Sequence, residues 1–269
     1  MIASRHRLAS TLNPMASPLA IAKQQLRNTV KQRLSSVSAE SIVAQSGNIF
    51  ESLKAFKPYV EAQRISIYLS MPSGEVQTDV IVRHALASGK QVFVPYLHKS
   101  PLDAPDTPAR VMDMVHLKDM HDYESLERDR WGIPSIDPAT VHQRQRILGG
   151  PDAHHSDQAG LDGLDLMLLP GVAFDFDESG AVRRLGHGKG FYDYFMNRYL
   201  AKTKSLDHDA RPTLFYGLAL TEQLLSGGPG EQVPMGQYDR TLHGLVLGNG
   251  QIKESISAPD GVATHVPDV

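Results

Sequence analysis

Four consecutive apolar residues, Leu166-Met-Leu-Leu169, stopped at once by Pro170-Gly171, constrain the fold of this chain more than any other stretch. A short apolar run between breakers reads as a buried strand, and buried strands belong to parallel sheets covered by helices. An acidic turn follows. Gly186, Gly188 and Gly190 then alternate through RLGHGKG, and a helix is predicted from about Phe191. Its rows Phe191/Phe195/Tyr199 and Tyr192/Met196/Leu200 lie side by side, so the helix has one broad apolar face. Glycines ahead of a helix N-terminus let the backbone approach a ligand and aim N–H groups at it, which suits a phosphate. Arg184, His187 and Lys189 add positive charge there. Glycine-rich turns also serve as plain connectors, so this motif alone does not decide the matter.

The flanking segments fit the same architecture. Ser17 to about Phe56 reads as helical, with Leu26, Val30 and Leu34 in one row, a break at Ser35 to Ser38 and a new start at Ser38. Lys23, Arg27 and Lys31 form a second stripe on the first helix, a pattern that by itself describes a solvated face. Arg64 to Leu69 and Gln91 to Val94 read as strands. They flank a helix from Thr78 to Ser88, with Thr78 as N-cap and Gly89 as its stop. This strand–helix–strand succession suggests a parallel sheet. His98 to Arg110 reads as a surface loop, Val111 to Leu117 as a short strand, and Trp131 to Gly163 as irregular. Within the last, residues 149–162 read as an exposed insertion, whose adjacent His154 and His155 do not suit a shared metal ion. Thr213 to Leu220 and Leu242 to Leu247 are further strands, separated by a Gly- and Pro-rich loop from Ser226 to Asp239.

The expected fold is therefore α/β: a single three-layer α/β/α domain over residues 17–250, with a mostly parallel sheet and the N-terminal helices packed across it. Ligands are expected at the carboxyl ends of the strands. Residues 251–269 are expected to form a flexible tail.

A net charge of −3 argues against general polyanion binding, so no nucleic-acid partner is expected and phosphate chemistry must be local. The absence of cysteine excludes disulfides, thiolate catalysis and Cys-ligated zinc. No apolar run approaches the ~20 residues of a membrane helix, so no membrane partner is expected. No acidic residue precedes Glu40, and residues 1–16 have the Arg- and Ser-bearing make-up of an organelle transit peptide. A cytoplasmic protein with a short N-terminal tail and a mitochondrial form targeted by that extension both remain open, as does a second start at Met15.

The motif RLGHGKGFYD is similar to the signature of the 5-formyltetrahydrofolate cyclo-ligases, also called 5,10-methenyltetrahydrofolate synthetases. Three further blocks fall in that family's order: Lys23-Gln-Gln-Leu-Arg27, Ile65-Ser-Ile-Tyr-Leu-Ser-Met71 with Glu75, and Gln232-Val-Pro with Asp239. The central block itself runs from Leu169-Pro-Gly-Val-Ala-Phe-Asp175 through Asp193, and the whole resemblance spans roughly Ala20 to Gly248.

The resemblance implies an ATP- and Mg²⁺-dependent ring closure by a monomer acting on two small molecules, ATP and 5-formyltetrahydrofolate. It implies ATP contacts at Lys23, Gln24, Gln25, Leu26 and Arg27, and at Arg184, Leu185, Gly186, His187, Gly188, Lys189, Gly190, Phe191 and Tyr192. It implies folate contacts at Leu69, Glu75, His187, Gly188, Lys189, Gly190 and Phe191. Lys189 and Arg184 would be the catalytic cations. Asp193 and Asp239 would hold Mg²⁺, which screens a carboxylate from a triphosphate.

The chain departs from the family pattern in places. His187 stands where arginine or an aromatic is common, Phe191 replaces a frequent tyrosine, and Gln77 and His243 stand where acids are often found. Pro72-Ser73-Gly74 carries one extra residue ahead of Glu75. Two other readings stay in view: a related α/β enzyme of sugar phosphates or CoA thioesters, and a folate- or nucleotide-binding module without turnover.

Overall fold

The computed structural model describes residues 17–100, 108–149, 163–206, 212–228 and 230–256. The expected extension (1–16), nearly all of the expected insertion with His154 and His155, and the chain beyond 256 lie outside them.

Local sequence decides where the helices begin. In α1 (Pro18–Leu34) the Ser17 hydroxyl accepts from Ala20 N at 3.2 Å, with proline in the first turn. In α2 (Ala39–Ala55) Ser38 accepts from Ser41 N at 3.2 Å, with Glu40 beside the positive end of the helix. A short α3 (Lys57–Glu61) leads into β1 (Arg64–Ile67), α4 (Asp79–Ala87) and β2 (Gln91–Lys99). Thr78 does precede α4, yet it does not cap it: its hydroxyl donates to Tyr68 O at 2.7 Å, tying the helix start to the chain leaving β1. Gly89, at φ +74°, ends α4 as expected.

β3 (Arg110–Leu117) pairs antiparallel with the whole of β2, which runs five residues past the expected Val94. Pro95, His98 and Lys99 hide that extension, because an outer hairpin does not need the apolar run of a central strand. Beyond it lie α5 (Met120–Glu124) and the small antiparallel pair β4 (Glu127–Arg128) and β5 (Pro134–Ser135).

β6 (Leu166–Leu169) is the central apolar strand, hydrogen-bonded in parallel to β1 on one side and to β9 (Leu214–Ala219) on the other. β9 also pairs in parallel with β10 (Gly244–Leu247). The seven-stranded sheet has the order β11-β10-β9-β6-β1-β2-β3, parallel through its middle and antiparallel at both edges. Its last strand, β11 (Ile252–Glu254), corrects the expected boundary at residue 250: the apparent tail opens by closing the sheet edge.

The acidic turn after Pro170 is also more than a turn. β7 (Ala173–Phe176) and β8 (Val182–Leu185) form an antiparallel hairpin closed by Asp177, whose carboxylate accepts from Ser179 N and Ala181 N. α6 (Phe191–Leu206) begins at the expected residue.

Strand alternation sorts the core into two faces. Ile65, Ile67, Leu166 and Leu168 pack with Ile49 and Leu53 of α2 and with Ile81 and Ala85 of α4. Met167, Leu169 and Phe215 pack with Phe195, Met196 and Tyr199 of α6 and with Phe174 and Val182 of the hairpin. These are the three layers. α1 is the exception to the expected packing, for Leu26 and Val30 lie on Val172, Ala173, Leu185, Leu225 and Val233 and not on the sheet. The segments leaving the carboxyl ends of β1, β6 and β9 therefore meet α1 at one end of the molecule.

Candidate active site

With Leu26 and Val30 anchoring α1 to the hairpin, the stripe Lys23, Arg27, Lys31 takes a different face of the helix. Arg27 Nε donates to Gly186 O at 2.8 Å, and its guanidinium lies over Gly188. A Cβ at Gly188 would come within 3.2 Å of Arg27 Cζ and press on that side chain, and φ there is +97°, so the backbone demands glycine. Gly190, at φ +69°, turns the chain into α6. Lys189 between them is exposed and, among the described residues, has no hydrogen bond or ion pair.

Two carboxylates border this loop. Asp239 pairs with Lys23 and accepts from Gly236 N at 2.6 Å. Asp193, in the first turn of α6, accepts from Arg184 Nη2 at 2.8 Å and from Arg240 N at 3.3 Å. Asn197, one turn further along α6, ties the two acids' segments together: its Nδ2 donates to Tyr238 O, and its Oδ1 accepts from Arg240 Nε at 2.6 Å. Asn197 and Arg240 were not foreseen; the only trace in the sequence is that Asn197 stands four residues after Asp193 on the same helix face.

Arg184, expected on the phosphates, lies beneath the loop. Its side chain is 2% exposed and donates to Pro170 O and Asp193. Its Nε is, among the described residues, the one enclosed side-chain nitrogen or oxygen without a hydrogen-bond partner. Leu26 and Leu185 are buried where α1 meets the hairpin, Leu69 in the core on the α2 and α4 side of the sheet, and Phe191 packs against the core on the α6 side. Gln24 and Gln25 are exposed on α1, Gln24 bonded to Asn28. Those positions shape the site through backbone and packing.

Glu75 is 5% exposed, and its Oε1 accepts from Met71 N at 2.6 Å. Burial pushes its carboxyl up to about 7, against the opposing pull of that backbone N–H. Its charge is felt by Tyr68 and Tyr192, whose hydroxyls burial also raises. Gln77 donates to Met71 O and Glu75 O, holding the turn with its extra residue in shape.

Next to this turn lies a cavity of about 460 Å³, walled by Leu34, Val37, Ile42, Met71 and Pro72, with Lys31, His187 and Gln223 among its polar lining. Crowding at the loop, and then the positive charges of Lys31, Arg184 and Arg27, hold the His187 imidazole below its usual range. His243, the other histidine at a departure from the family pattern, accepts from Phe215 N at 3.0 Å at the start of β9. Burial lowers it to about 4, and it stands at the opposite end of the strands from the glycine loop.

A glycine loop opening a helix at the carboxyl end of a parallel sheet, bordered by cations and two carboxylates, is an arrangement with which α/β proteins in general receive phosphorylated ligands. The model of the 5-formyltetrahydrofolate cyclo-ligase family matches residues 20–248. A probable 5-formyltetrahydrofolate cyclo-ligase from Caenorhabditis elegans is 33% identical over 83% of this chain and 91% of its own. The 5-formyltetrahydrofolate cyclo-ligase of Saccharomyces cerevisiae is 31% identical over 86% of this chain and 97% of its own. The fold is also that of an Aquifex aeolicus 5,10-methenyltetrahydrofolate synthetase, with a TM-score of 0.55 and 21% identity over 90% of this chain and 99% of the other. The chain belongs to the 5-formyltetrahydrofolate cyclo-ligase family and is an enzyme of that family. No helix of the described residues is long and apolar enough to cross a membrane.

Proposed function

We propose that this enzyme closes 5-formyltetrahydrofolate to 5,10-methenyltetrahydrofolate at the expense of ATP, with release of ADP and phosphate. The formyl oxygen attacks the γ-phosphorus and ADP leaves, giving a phosphorylated imidate. N10 then adds to the activated carbon, phosphate departs with the former formyl oxygen, and the N10 proton passes to solvent. An amide-type oxygen is a poor leaving group and a phosphate a good one, which is why the ring closure needs ATP. Phosphoryl transfer asks a protein mainly for positioning and charge neutralisation.

In this reading the backbone N–H groups of Gly186 to Gly190 and the Lys189 ammonium take the terminal phosphates, with Lys23 and Arg27 closing over them from α1. Arg184 acts from below, orienting Asp193 and the loop. Glu75 grips the donor-rich pterin ring, with Leu69, Phe191 and Tyr192 around it.

The donor set fits magnesium. Asp193 and Asp239 are hard oxygen ligands at the loop, and no group of three or more His, Asp or Glu among the described residues forms a ready cage. Mg²⁺ characteristically binds through one or two carboxylates together with substrate phosphates. When bound, it would neutralise charge on the transferring phosphoryl group.

The observation that carries the proposal is Lys189: an exposed cation, unpaired among the described residues, on a loop whose neighbouring cations, Arg27 of α1 and Arg184 of β8, are held by the protein itself. Mixing purified protein with 5-formyltetrahydrofolate and Mg-ATP tests it. A methenyl absorption band should grow in the near ultraviolet and fail to grow without ATP. No band under any magnesium or pH condition would reject the proposed reaction.

A further inference from the structure

Of the three cations in the α1 stripe, the proposed reaction uses two. Lys23 pairs with Asp239 and Arg27 holds the Gly186 carbonyl, while the Lys31 side chain has no hydrogen bond or ion pair among the described residues. It stands one helical turn beyond Arg27, on the wall of the 460 Å³ cavity. That cavity has largely apolar walls, and among the described residues no Asp or Glu lines it. Such a chamber suits a molecule with a flat apolar body and an anionic end. Its electrostatic imprint reaches the ring of His187 across the cavity.

We infer that Lys31 receives a carboxylate of the glutamate tail of the folate substrate, making it a specificity-determining residue that separates tailed from tailless pteridines. The inference rests on the proposed reaction for the identity of the substrate, and it assigns the end of that molecule which the glycine loop and Glu75 leave over. The pterin lies toward Glu75, the aminobenzoyl ring runs along Leu34, Val37 and Ile42, and the acidic tail meets the ammonium. An ammonium facing no acid of its own exchanges only water for the carboxylate, so the pair forms without breaking an existing bridge. Charge, not shape, is what the position requires, so arginine should serve there.

The test is calorimetric titration of the wild type and of Lys31→Gln, Lys31→Glu and Lys31→Arg with 5-formyltetrahydrofolate, tailless 5-formyltetrahydropteroate and Mg-ATP, with turnover followed in parallel. Lys31→Gln should weaken the tailed ligand about tenfold, Lys31→Glu should weaken it more, and Lys31→Arg should restore it. Affinity for the tailless ligand and for Mg-ATP should stay within about twofold, and kcat should hold while KM for the tailed substrate rises. Equal losses for tailed and tailless ligands, a loss confined to Mg-ATP, or no loss would overturn the assignment of Lys31. A wild type that prefers the tailed ligand but forms no methenyl product would reject the reaction while keeping the tail contact. A wild type that binds neither folate would reject both.

Discussion

Arg183 and Arg184 are neighbours on β8, and they behave in opposite ways. Arg183 forms a two-point fork with Asp175, whose carboxylate is fully buried and also accepts from Val233 N at 2.8 Å. No enclosed side-chain polar atom in that arrangement lacks a partner, and the fork ties the two strands of the hairpin together. Arg184 points to the opposite face of the same strand, reaches Asp193 through one nitrogen and Pro170 O through another, and leaves Nε unbonded. Its carboxylate partner is 15% exposed. The first pair closes on itself; the second stays open, as the proposed site requires.

Four substitutions can break or sharpen that contrast. Lys189→Ala, on the open side, should lower turnover about a thousandfold, about 4 kcal/mol of transition-state stabilisation, with the melting temperature unchanged. A rate near wild type would remove the loop from the chemistry. Arg183→Ala, on the closed side, strands a buried carboxylate and should cost about 3 kcal/mol of stability, read as a lowered urea midpoint. The remaining folded protein should turn over at close to the normal rate.

Glu75→Gln should separate stability from activity. A carboxyl held at about 7 in the folded chain, against an ordinary value near 4.5, is favoured by folding in its neutral form. Wild type therefore loses stability as pH rises from about 4.5 through 7, and the glutamine variant does not. Above pH 7 the variant should be the more stable by about 3 kcal/mol, the difference vanishing below pH 4.5, while its affinity for the folate falls. Parallel stability curves across that window would contradict the assignment. The smallest effect is expected of Arg184→Lys, which keeps the charge but not the reach to both Pro170 and Asp193. Turnover should drop about tenfold with little change in melting.

The same contrast explains what could be read in the residues beforehand. β6, the glycine loop and the start of α6 were legible because each rests on local chemistry: an apolar run, a positive-φ requirement, an apolar helix row. Ser17 and Ser38 announced their helices for the same reason. What stayed hidden depends on distant partners. The hairpin of β7 and β8 was read as a turn because Asp175 and Arg183 look like surface charges until they pair across two strands. Thr78 has the chemistry of a cap, yet the Tyr68 carbonyl, just past the end of β1, takes its hydroxyl. α1 showed its apolar row but not which layer would receive it. The proposed site divides likewise: Lys189 and Arg27 were visible by type and spacing, whereas Asn197, Arg240 and the orphaned Arg184 Nε required the fold.

The most direct measurement is a crystal structure of the wild-type protein with Mg²⁺ and a non-hydrolysable ATP analogue. The account predicts the terminal phosphates on the backbone of Gly186 to Gly190, with the Lys189 ammonium on the γ-phosphate and the metal between it and Asp193 or Asp239. A nucleotide seated elsewhere, with that loop empty and Lys189 in solvent, would contradict it.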